Sequence, residues 1–345
     1  MAILTLLTLG GCTAALTDPT SLVGSARLLA VSLEPAEGAA GDAVALTALY
    51  ADSGGAIAEA AVDWSFCTAR KPLAELGPVA QSCLDSDSAD LVAIGTGLEV
   101  DGTIPEDACS AFGPNPPASS DGSAGGRPVD PDITGGYYQP LVGFPESGDV
   151  TLAAARVRCG LANVTQETYA AWNASYHSNT SPIVAGVTGD AGAGATEWVE
   201  DGAGEPTSVG VGARVTLTAA WPECPGVGGG PEACGDGFCA ADEDAVGCAS
   251  DCEAPVACGG AETYTLYDAA SKTLGTQREA MEATWFATAG SFTDARVGRA
   301  GDDEATAVED VWLAPDTAQD VWLAVVLRDD RGGVAFQSYR VRVDP

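Results

Sequence analysis

Two stretches of the chain repeat one pattern of alternating residues, and this pattern restricts the fold to β-structure. Residues 41–50 read GDAVALTALY and residues 212–221 read GARVTLTAAW, so both fit Gly-x-x-Val-x-Leu-Thr-Ala-x-aromatic. The apolar residues fall on every second position, which is the period of a half-buried strand. A segment centred on tryptophan follows each stretch, with Trp64 in the first half and Trp285 in the second. The repeat therefore predicts two β-domains.

A glycine-led strand followed by a tryptophan-bearing strand resembles the B and C strands of immunoglobulin-like sandwiches. Near the C-terminus, residues 321–328 and 334–343 alternate around the turn DDRGG, which predicts a hairpin. The motif DVWLA occurs at residues 310–314 and 320–324, with a Pro-Asp turn between the two copies. This region resembles the PKD-like and other Ig-like domains of bacterial surface proteins. The resemblance implies an all-β fold of two Ig-like β-sandwiches, and it implies no activity.

The patterns also predict how the chain is divided. A short helix is expected between the two sandwiches because residues 165–176 read TQETYAAWNASY and Pro182 follows them. The expected segments are a signal peptide (1–11), a tether (12–26), a first sandwich (27–162), a helical connector (163–182) and a second sandwich (183–345) that contains a small disulfide-rich insert (224–258).

The N-terminus looks like a bacterial lipoprotein signal. Residues 9–12 read LGGC after an apolar run, as in a lipobox, where two small residues precede a cysteine that becomes the acylated first residue. We expect lipidation of Cys12 and attachment to a membrane through that lipid. No Lys or Arg precedes Arg27, so the positively charged start of such a signal is expected further upstream. Thr13 stands where an inner-membrane retention signal would have Asp, which favours the outer membrane or cell surface.

The alternative to a lipobox is a buried N-terminal strand with an incidental cysteine. The number of cysteines supports export. The chain has 11 cysteines, and an even set remains once Cys12 is set aside. In an oxidising compartment an even set indicates disulfides, while spacing alone does not determine the pairing. We expect Cys67 to pair with Cys159, Cys83 with Cys109, Cys224 with Cys258, and Cys234, Cys239, Cys248 and Cys252 among themselves.

The insert carries the one motif with ligand chemistry. Residues 234–239 read CGDGFC and residues 248–252 read CASDC, which resembles a short module of bacterial extracellular proteins, myxobacterial lipoproteins among them. The module is distantly similar to Notch-type repeats, which bind calcium. The candidate Ca²⁺ ligands are Asp236, Asp242, Glu243, Asp244 and Asp251. Their oxygens suit Ca²⁺, but their spacing does not fit an EF-hand. A disulfide-stapled knob without metal is the simpler interpretation, and calcium binding is the alternative.

Charge and motif content exclude several classes of function. The chain has 49 acidic and 15 basic residues and a formal net charge of −34, and such a surface repels nucleic acid. His177 is the only histidine, and its polar surroundings predict an exposed linker residue. Asp130 and Asp132 form a carboxylate pair in a Pro- and Gly-rich loop, for which a structured turn is the simpler interpretation. No catalytic residue and no cofactor are therefore expected, with Ca²⁺ at the insert as the alternative.

Aromatic residues leave a glycan-binding alternative open. Trp312 and Trp322 occupy equivalent places in the DVWLA repeat and are expected to form a cross-strand pair, which would make a glycan platform if both were exposed. Tyr137 and Tyr138 are the other candidates. The tryptophans expected in the core are Trp64, Trp221 and Trp285.

These features favour a lipid-anchored, non-enzymatic surface protein with a role in display, adhesion or recognition. An envelope protein or an extracellular polymer is the expected class of partner. A glycan- or polymer-binding module is the alternative, and a secreted hydrolase that uses two carboxylates comes third.

Overall fold

The computed structural model describes residues 20–71, 75–113, 133–146, 149–224 and 258–345. Within these residues the fold is all-β and contains two sandwiches. The strands of the first sandwich are β1 (Arg27–Glu34), β2 (Glu37–Gly38), β3 (Ala43–Asp52), β4 (Gly55–Ala56), β5 (Val62–Cys67), β6 (Leu91–Thr96), β7 (Glu99–Thr103), β8 (Gly136–Pro145) and β9 (Thr151–Arg158). The remaining strands are β10 (Gly186–Asp190), β11 (Thr196–Glu197), β12 (Thr207–Gly210), β13 (Arg214–Ala220), β14 (Thr263–Asp268), β15 (Thr273–Arg278), β16 (Met281–Ala287), β17 (Ser291–Phe292), β18 (Arg296–Arg299), β19 (Ala307–Leu313), β20 (Gln319–Asp329) and β21 (Val334–Asp344).

The first sandwich packs two sheets around one core. Sheet 1 has the order β2-β9-β8-β5-β6, and sheet 2 has the order β1-β3-β4 with β7 also paired to β3. The alternating residues of β3 place Val44, Leu46 and Ala48 on the inner face, as the repeat predicts. They meet Trp64 of β5, which is 1% exposed and donates its indole N–H to the Gly97 carbonyl at 2.9 Å.

The second sandwich is built in the same way. Sheet 3 has the order β12-β21-β20-β16-β18, and sheet 4 has the order β11-β10-β13-β19-β17. Trp221, Trp285, Trp312 and Tyr339 fill the space between the two sheets together with aliphatic residues. The prediction of an all-β fold of two sandwiches is confirmed, and Trp64, Trp221 and Trp285 lie in the cores where they were expected.

The two sandwiches contact each other through sheet 2 and sheet 3. Strand β20 is buried on both faces, because Val325 and its alternate neighbours face their own core while Trp322, Ala324 and Val326 face the first sandwich. Leu49 of β3 lies in the same cluster on the opposite side. Burial of apolar surface on both sides of one strand gives the interface a continuous hydrophobic centre.

The N-terminal residues of the described chain differ from the predicted tether. Leu22 pairs with Ala287 at the end of β16, the Val23 amide donates to the Ala287 carbonyl at 2.8 Å, and the Ala287 amide donates to the Ser21 carbonyl at 2.9 Å. Val23 is fully buried in the interface between the sandwiches. Residues 20–23 of the expected tether (12–26) are therefore packed against the second sandwich. Their backbone is hydrogen-bonded to Ala287, and the Val23 side chain packs in the interface.

Three disulfides are present among the described residues, and two of them correct the expected pairing. Cys67 pairs with Cys83 and Cys109 pairs with Cys159, so the expected Cys67–Cys159 and Cys83–Cys109 pairs are wrong. The reason is local. The end of β5 lies under the 3₁₀ turn Gln81–Leu84, while helix α1 (Ala108–Phe112) packs beside the end of β9.

Cys224 and Cys258 are joined as expected, with their Cα atoms 5.4 Å apart. The four cysteines Cys234, Cys239, Cys248 and Cys252 lie outside the described residues. So do Cys12 and the candidate calcium ligands Asp236, Asp242, Glu243, Asp244 and Asp251, as well as the pair Asp130 and Asp132.

The connector contains helix α2 (Gln166–Ala174), which lies within the predicted segment. Thr165 caps its N-terminus by accepting the Thr168 amide at 3.1 Å, as threonine does at this position of many helices. Trp172 is 1% exposed and anchors the helix. The chain then runs through residues 175–182 to the second sandwich, and the hairpin β14–β15 lies beside this segment.

Candidate functional site

Buried charged side chains lie where the connector passes between the two sandwiches. Glutamate, aspartate and arginine are rarely buried unless they are paired. We call this group the junction cluster, and its members are Glu37, Arg156, Glu262, Glu279, Asp329 and Arg331. The elements that supply them come from both sandwiches and from the hairpin β14–β15 with the short segments that flank it. The cluster is the most chemically distinctive place in the described chain.

Arg331 is the centre of the second-sandwich side of the cluster. Its Nε donates to Glu279 Oε1 at 2.6 Å, and its Nη2 donates to Glu262 Oε2 at 3.2 Å. Its Nη1 donates to the His177 carbonyl of the connector at 3.1 Å, and the guanidinium lies 4.8 Å from the centre of the Tyr264 ring. The side chain is 3% exposed, so a single guanidinium holds two carboxylates and the connector together away from water.

The turn between β20 and β21 places Arg331 in this position. Asp329 Oδ1 accepts the backbone amides of Arg331 and Gly333, each at 2.8 Å. Gly332 adopts a φ of +100°, a conformation that glycine reaches without strain. The sequence DDRGG therefore forms the hairpin turn and also positions a side chain. Asp329 fixes the backbone of the turn so that the Arg331 side chain points into the interface.

Glu37 and Arg156 form the first-sandwich side of the cluster. Arg156 Nε donates to Glu37 Oε2 at 3.1 Å, and these side chains are 2% and 0% exposed. The backbone amide of Asn179 donates to Glu37 Oε2 at 2.9 Å, and the Tyr176 hydroxyl donates to Glu37 Oε1. The carboxylate of Glu37 thus fixes the connector to β2.

Asn179 connects the two sides of the cluster. Its backbone is bound to Glu37, and its side-chain amide donates to both carboxylate oxygens of Asp329 at 3.2 Å. Thr180 adds a second link, because its hydroxyl donates to Glu262. One short connector segment is therefore hydrogen-bonded to both sandwiches at once.

Burial dominates the electrostatics of the cluster. It raises the pKa of Glu279 well above its ordinary value, and it also raises the pKa of Glu262 and of Asp329, while Arg331 acts in the opposite direction. Burial and the neighbouring Arg331 lower the pKa of His177. Perturbed groups of this kind occur both at active sites and in structural ion networks. Here the carboxylates are bound to arginine and backbone groups in a closed interface, which favours the structural role.

The other residues singled out in the sequence lie elsewhere or differ from expectation. His177 is half-buried beside Arg331, so the expected exposed linker histidine is wrong. Trp312 and Trp322 are 0% and 1% exposed and lie in different sheets, Trp312 in the core of the second sandwich and Trp322 between the sandwiches. They therefore form neither the expected cross-strand pair nor an exposed platform for a glycan.

The two neighbouring tyrosines point to opposite faces of β8. Tyr137 stacks on Phe112 with ring centres 5.3 Å apart, whereas Tyr138 is 40% exposed and lies over the guanidinium of Arg156. Alternation along the strand separates the two rings, so they do not form a shared binding surface.

Carboxylates also line an open groove beside the interface. The groove lies between sheet 2 and Phe336 of β21, and Glu59 and Glu99 stand at its exposed edges. Among the residues that the structure describes, no group of three or more His, Cys, Asp or Glu side chains is arranged to hold a metal ion. No helix within the described ranges is long and apolar enough to cross a membrane.

No family model and no curated protein matches the chain. Among solved structures, the Yersinia pseudotuberculosis adhesin InvE matches at 10% identity and a TM-score of 0.20, over 92% of this chain and 60% of that one. The Escherichia coli adhesin FdeC matches at 14% identity and a TM-score of 0.19, over 92% of this chain and 66% of that one. The chain spans about 60% of the InvE structure. TM-scores this low support neither a common fold nor a common function.

Proposed function

We propose that this chain is a lipid-anchored, non-enzymatic protein of the cell surface that serves in display, adhesion or recognition. The observation that carries the proposal is the junction between the sandwiches. Domains in one chain move relative to each other unless their interface is large and hydrophobic. Here an apolar cluster, a buried ion cluster and the segment at residues 20–23 all join the two domains. Such a joint suits a protein that holds a binding surface at a fixed position.

Three further features support a location outside the cytoplasm. Disulfides persist in oxidising compartments, and three are present in the described chain. The LGGC motif supports lipidation of Cys12, and the net charge of −34 suits a soluble surface domain. We place the protein at the outer membrane or cell surface, with an envelope protein or an extracellular polymer as its partner. For the insert we propose a disulfide-stapled knob, with calcium binding as the alternative.

The non-enzymatic part of the proposal rests on the sole histidine and on the buried acids. His177 is hydrogen-bonded into the junction through its carbonyl. Burial raises the pKa of Glu279 well above its ordinary value and also raises the pKa of Glu262, and both carboxylates are bound to Arg331 in the interface rather than displayed in a cleft. The burial of Trp312 and Trp322 removes the observation that would have favoured glycan binding.

The first test is the intact mass of the protein purified from membranes of its native host, before and after reduction. We expect a chain that begins at Cys12 and carries acyl groups, and a gain of ten hydrogens on reduction, two for each pair among the other ten cysteines. The variant Cys12→Ser should leave the membrane fraction and keep its disulfides. An unprocessed N-terminus together with free thiols would contradict the proposal.

The role itself is tested in a strain that lacks the protein. We expect weaker attachment to neighbouring cells or to surfaces, restored by the wild-type chain and not by Cys12→Ser at equal abundance. A membrane-impermeant biotin reagent should label the wild-type protein on intact cells. Normal attachment of the deletion strain, or protection of the protein from the reagent, would argue against a surface adhesion role.

A further inference from the structure

The junction cluster contains more buried acid than buried base. Four carboxylates face two guanidiniums, so full ionisation leaves an excess of two negative charges in the interface. Glu279 is 1% exposed and Asp329 is 9% exposed. An uncompensated charge in such surroundings is costly because the interior screens it far less than water does.

The buried carboxylates differ in the donors and guanidiniums that neutralise their charge. Glu37 accepts hydrogen bonds from the Arg156 guanidinium, the Tyr176 hydroxyl and the Asn179 backbone amide. Glu279 and Glu262 share Arg331, and the Glu262 amide also donates to Glu279 Oε2 at 2.9 Å. Asp329 accepts the Asn179 side-chain amide and two backbone amides. Glu262 and Glu279 are two carboxylates bound to one guanidinium, so a proton on this pair relieves the repulsion between them.

We propose that the junction takes up a proton at the Glu262–Glu279 pair as the two sandwiches dock, so that mild acid tightens the joint and alkaline medium loosens it. The pH response concerns the interface alone and goes beyond the proposed function. That the joint would sense the acidity outside the cell rests on the surface location proposed above.

The direction of the effect follows from linkage. Burial raises the pKa of Glu262 and Glu279 in the folded chain. A carboxyl of this kind contributes stability that is complete below its unfolded pKa and is lost as the pH rises through its folded pKa. His177 acts in the opposite direction, because its pKa is lowered and its protonation in acid weakens the folded state.

The charged and titratable groups around the pair come from every element packed against it. The connector supplies Tyr176 and His177, and the hairpin β14–β15 supplies Tyr264. The others are Glu37, Arg156, Asp329, Asp330 and Arg331.

Hydrogen exchange of the full chain tests the proposal. The reporting amides are those of Asn179 and Gly333, which are bound to Glu37 and Asp329, and the amides of β5 and β13 are the internal reference. Protection factors, which remove the intrinsic pH dependence of exchange, are compared between wild type and Glu279→Gln from pH 8 to pH 5. Both proteins carry His177, so its contribution cancels in the ratio.

We expect the ratio of wild-type to Glu279→Gln protection to rise as the pH falls, by up to about tenfold per pH unit while Glu279 titrates. The matched control Glu309→Gln removes one exposed carboxylate from β19 and should give a constant ratio. A ratio that is flat or falls in acid overturns the proposal. If Glu279→Gln does not fold, Glu262→Gln, which lies at the less buried edge of the cluster, gives the same comparison and the same two outcomes.

Discussion

Arg331 is the single residue on which most of the junction depends. Its side chain is 3% exposed and contacts two carboxylates, one aromatic ring and a connector carbonyl. A buried ion pair adds little net stability over an apolar pair of the same shape, yet the loss of one partner leaves a buried charge unpaired. The strength of the junction is therefore sensitive to this one guanidinium.

We expect Arg331→Met to lower the free energy of unfolding by about 3–5 kcal/mol, since Glu279 and Glu262 lose their common partner. The matched control is Arg342→Met. Arg342 pairs with Asp320 at 3.3 Å on the surface, with both side chains about half exposed, so its loss should cost less than about 1 kcal/mol. Denaturant unfolding measures both. Equal costs would show that Arg331 does not hold the cluster together.

The sequence predicts which residues lie in the two cores better than it predicts which residues lie between the sandwiches. Strand alternation predicts Trp64 and Trp285 on the inner faces, and the structure confirms both positions. Trp322 follows the same alternation but faces outward from its sandwich, where the first sandwich covers it. The position of Arg331 was not predicted either, because its partners Glu279 and Glu262 lie far from it along the chain.

The two copies of DVWLA lie in strands that do not pair with each other. The repeat predicts two neighbouring strands, but β19 belongs to sheet 4 and β20 to sheet 3, so the Pro-Asp turn crosses from one sheet to the other. The sequence predicts β20 as an alternating strand, but residues 321–327 are buried on both faces. Local patterns determine strand type, whereas the assignment of a strand to a sheet depends on contacts across the sandwich.

A disulfide joins the two ends of the cysteine-rich insert, so the stability of the second sandwich should depend little on the insert itself. Cys224 and Cys258 are joined with Cα atoms 5.4 Å apart, and the Ile183 amide donates to the Gly259 carbonyl at 2.7 Å directly beside this bridge. Replacement of residues 225–257 by Gly-Ser-Gly-Ser should change the free energy of unfolding by no more than about 2 kcal/mol, since the bridge already closes the loop. Thermal unfolding with circular dichroism checks this, and a chain that cannot fold would refute it.

For the whole molecule, the interface predicts that both sandwiches unfold together. Their cores are separate, but they share the apolar cluster around Trp322 and the ion cluster at the connector. Coupled domains lose their structure in one transition, whereas loosely joined domains show two. We therefore expect a single calorimetric transition for the wild-type chain.

Gly55→Ala should weaken this coupling. Gly55 has a φ of +110°, and a Cβ atom there would lie 2.8 Å from Trp322 Cγ across the interface. Gly192→Ala is the control, because Gly192 has a similar φ of +98° but no neighbour within 4 Å of the added atom. We expect about 1–3 kcal/mol of extra destabilisation and a broader or split transition for Gly55→Ala alone. Identical transitions in the two variants would mean that Trp322 does not couple the sandwiches.

The contact of residues 20–23 with the second sandwich determines how a mechanical load would travel. Although β1 of the first sandwich follows these residues in the chain, their backbone is bound to Ala287 at the end of β16. A pull at the N-terminal end would therefore be borne first by the C-terminal half of the protein. Strand β1 would come under tension only after the backbone bonds to Ala287 had broken and Val23 had left the interface.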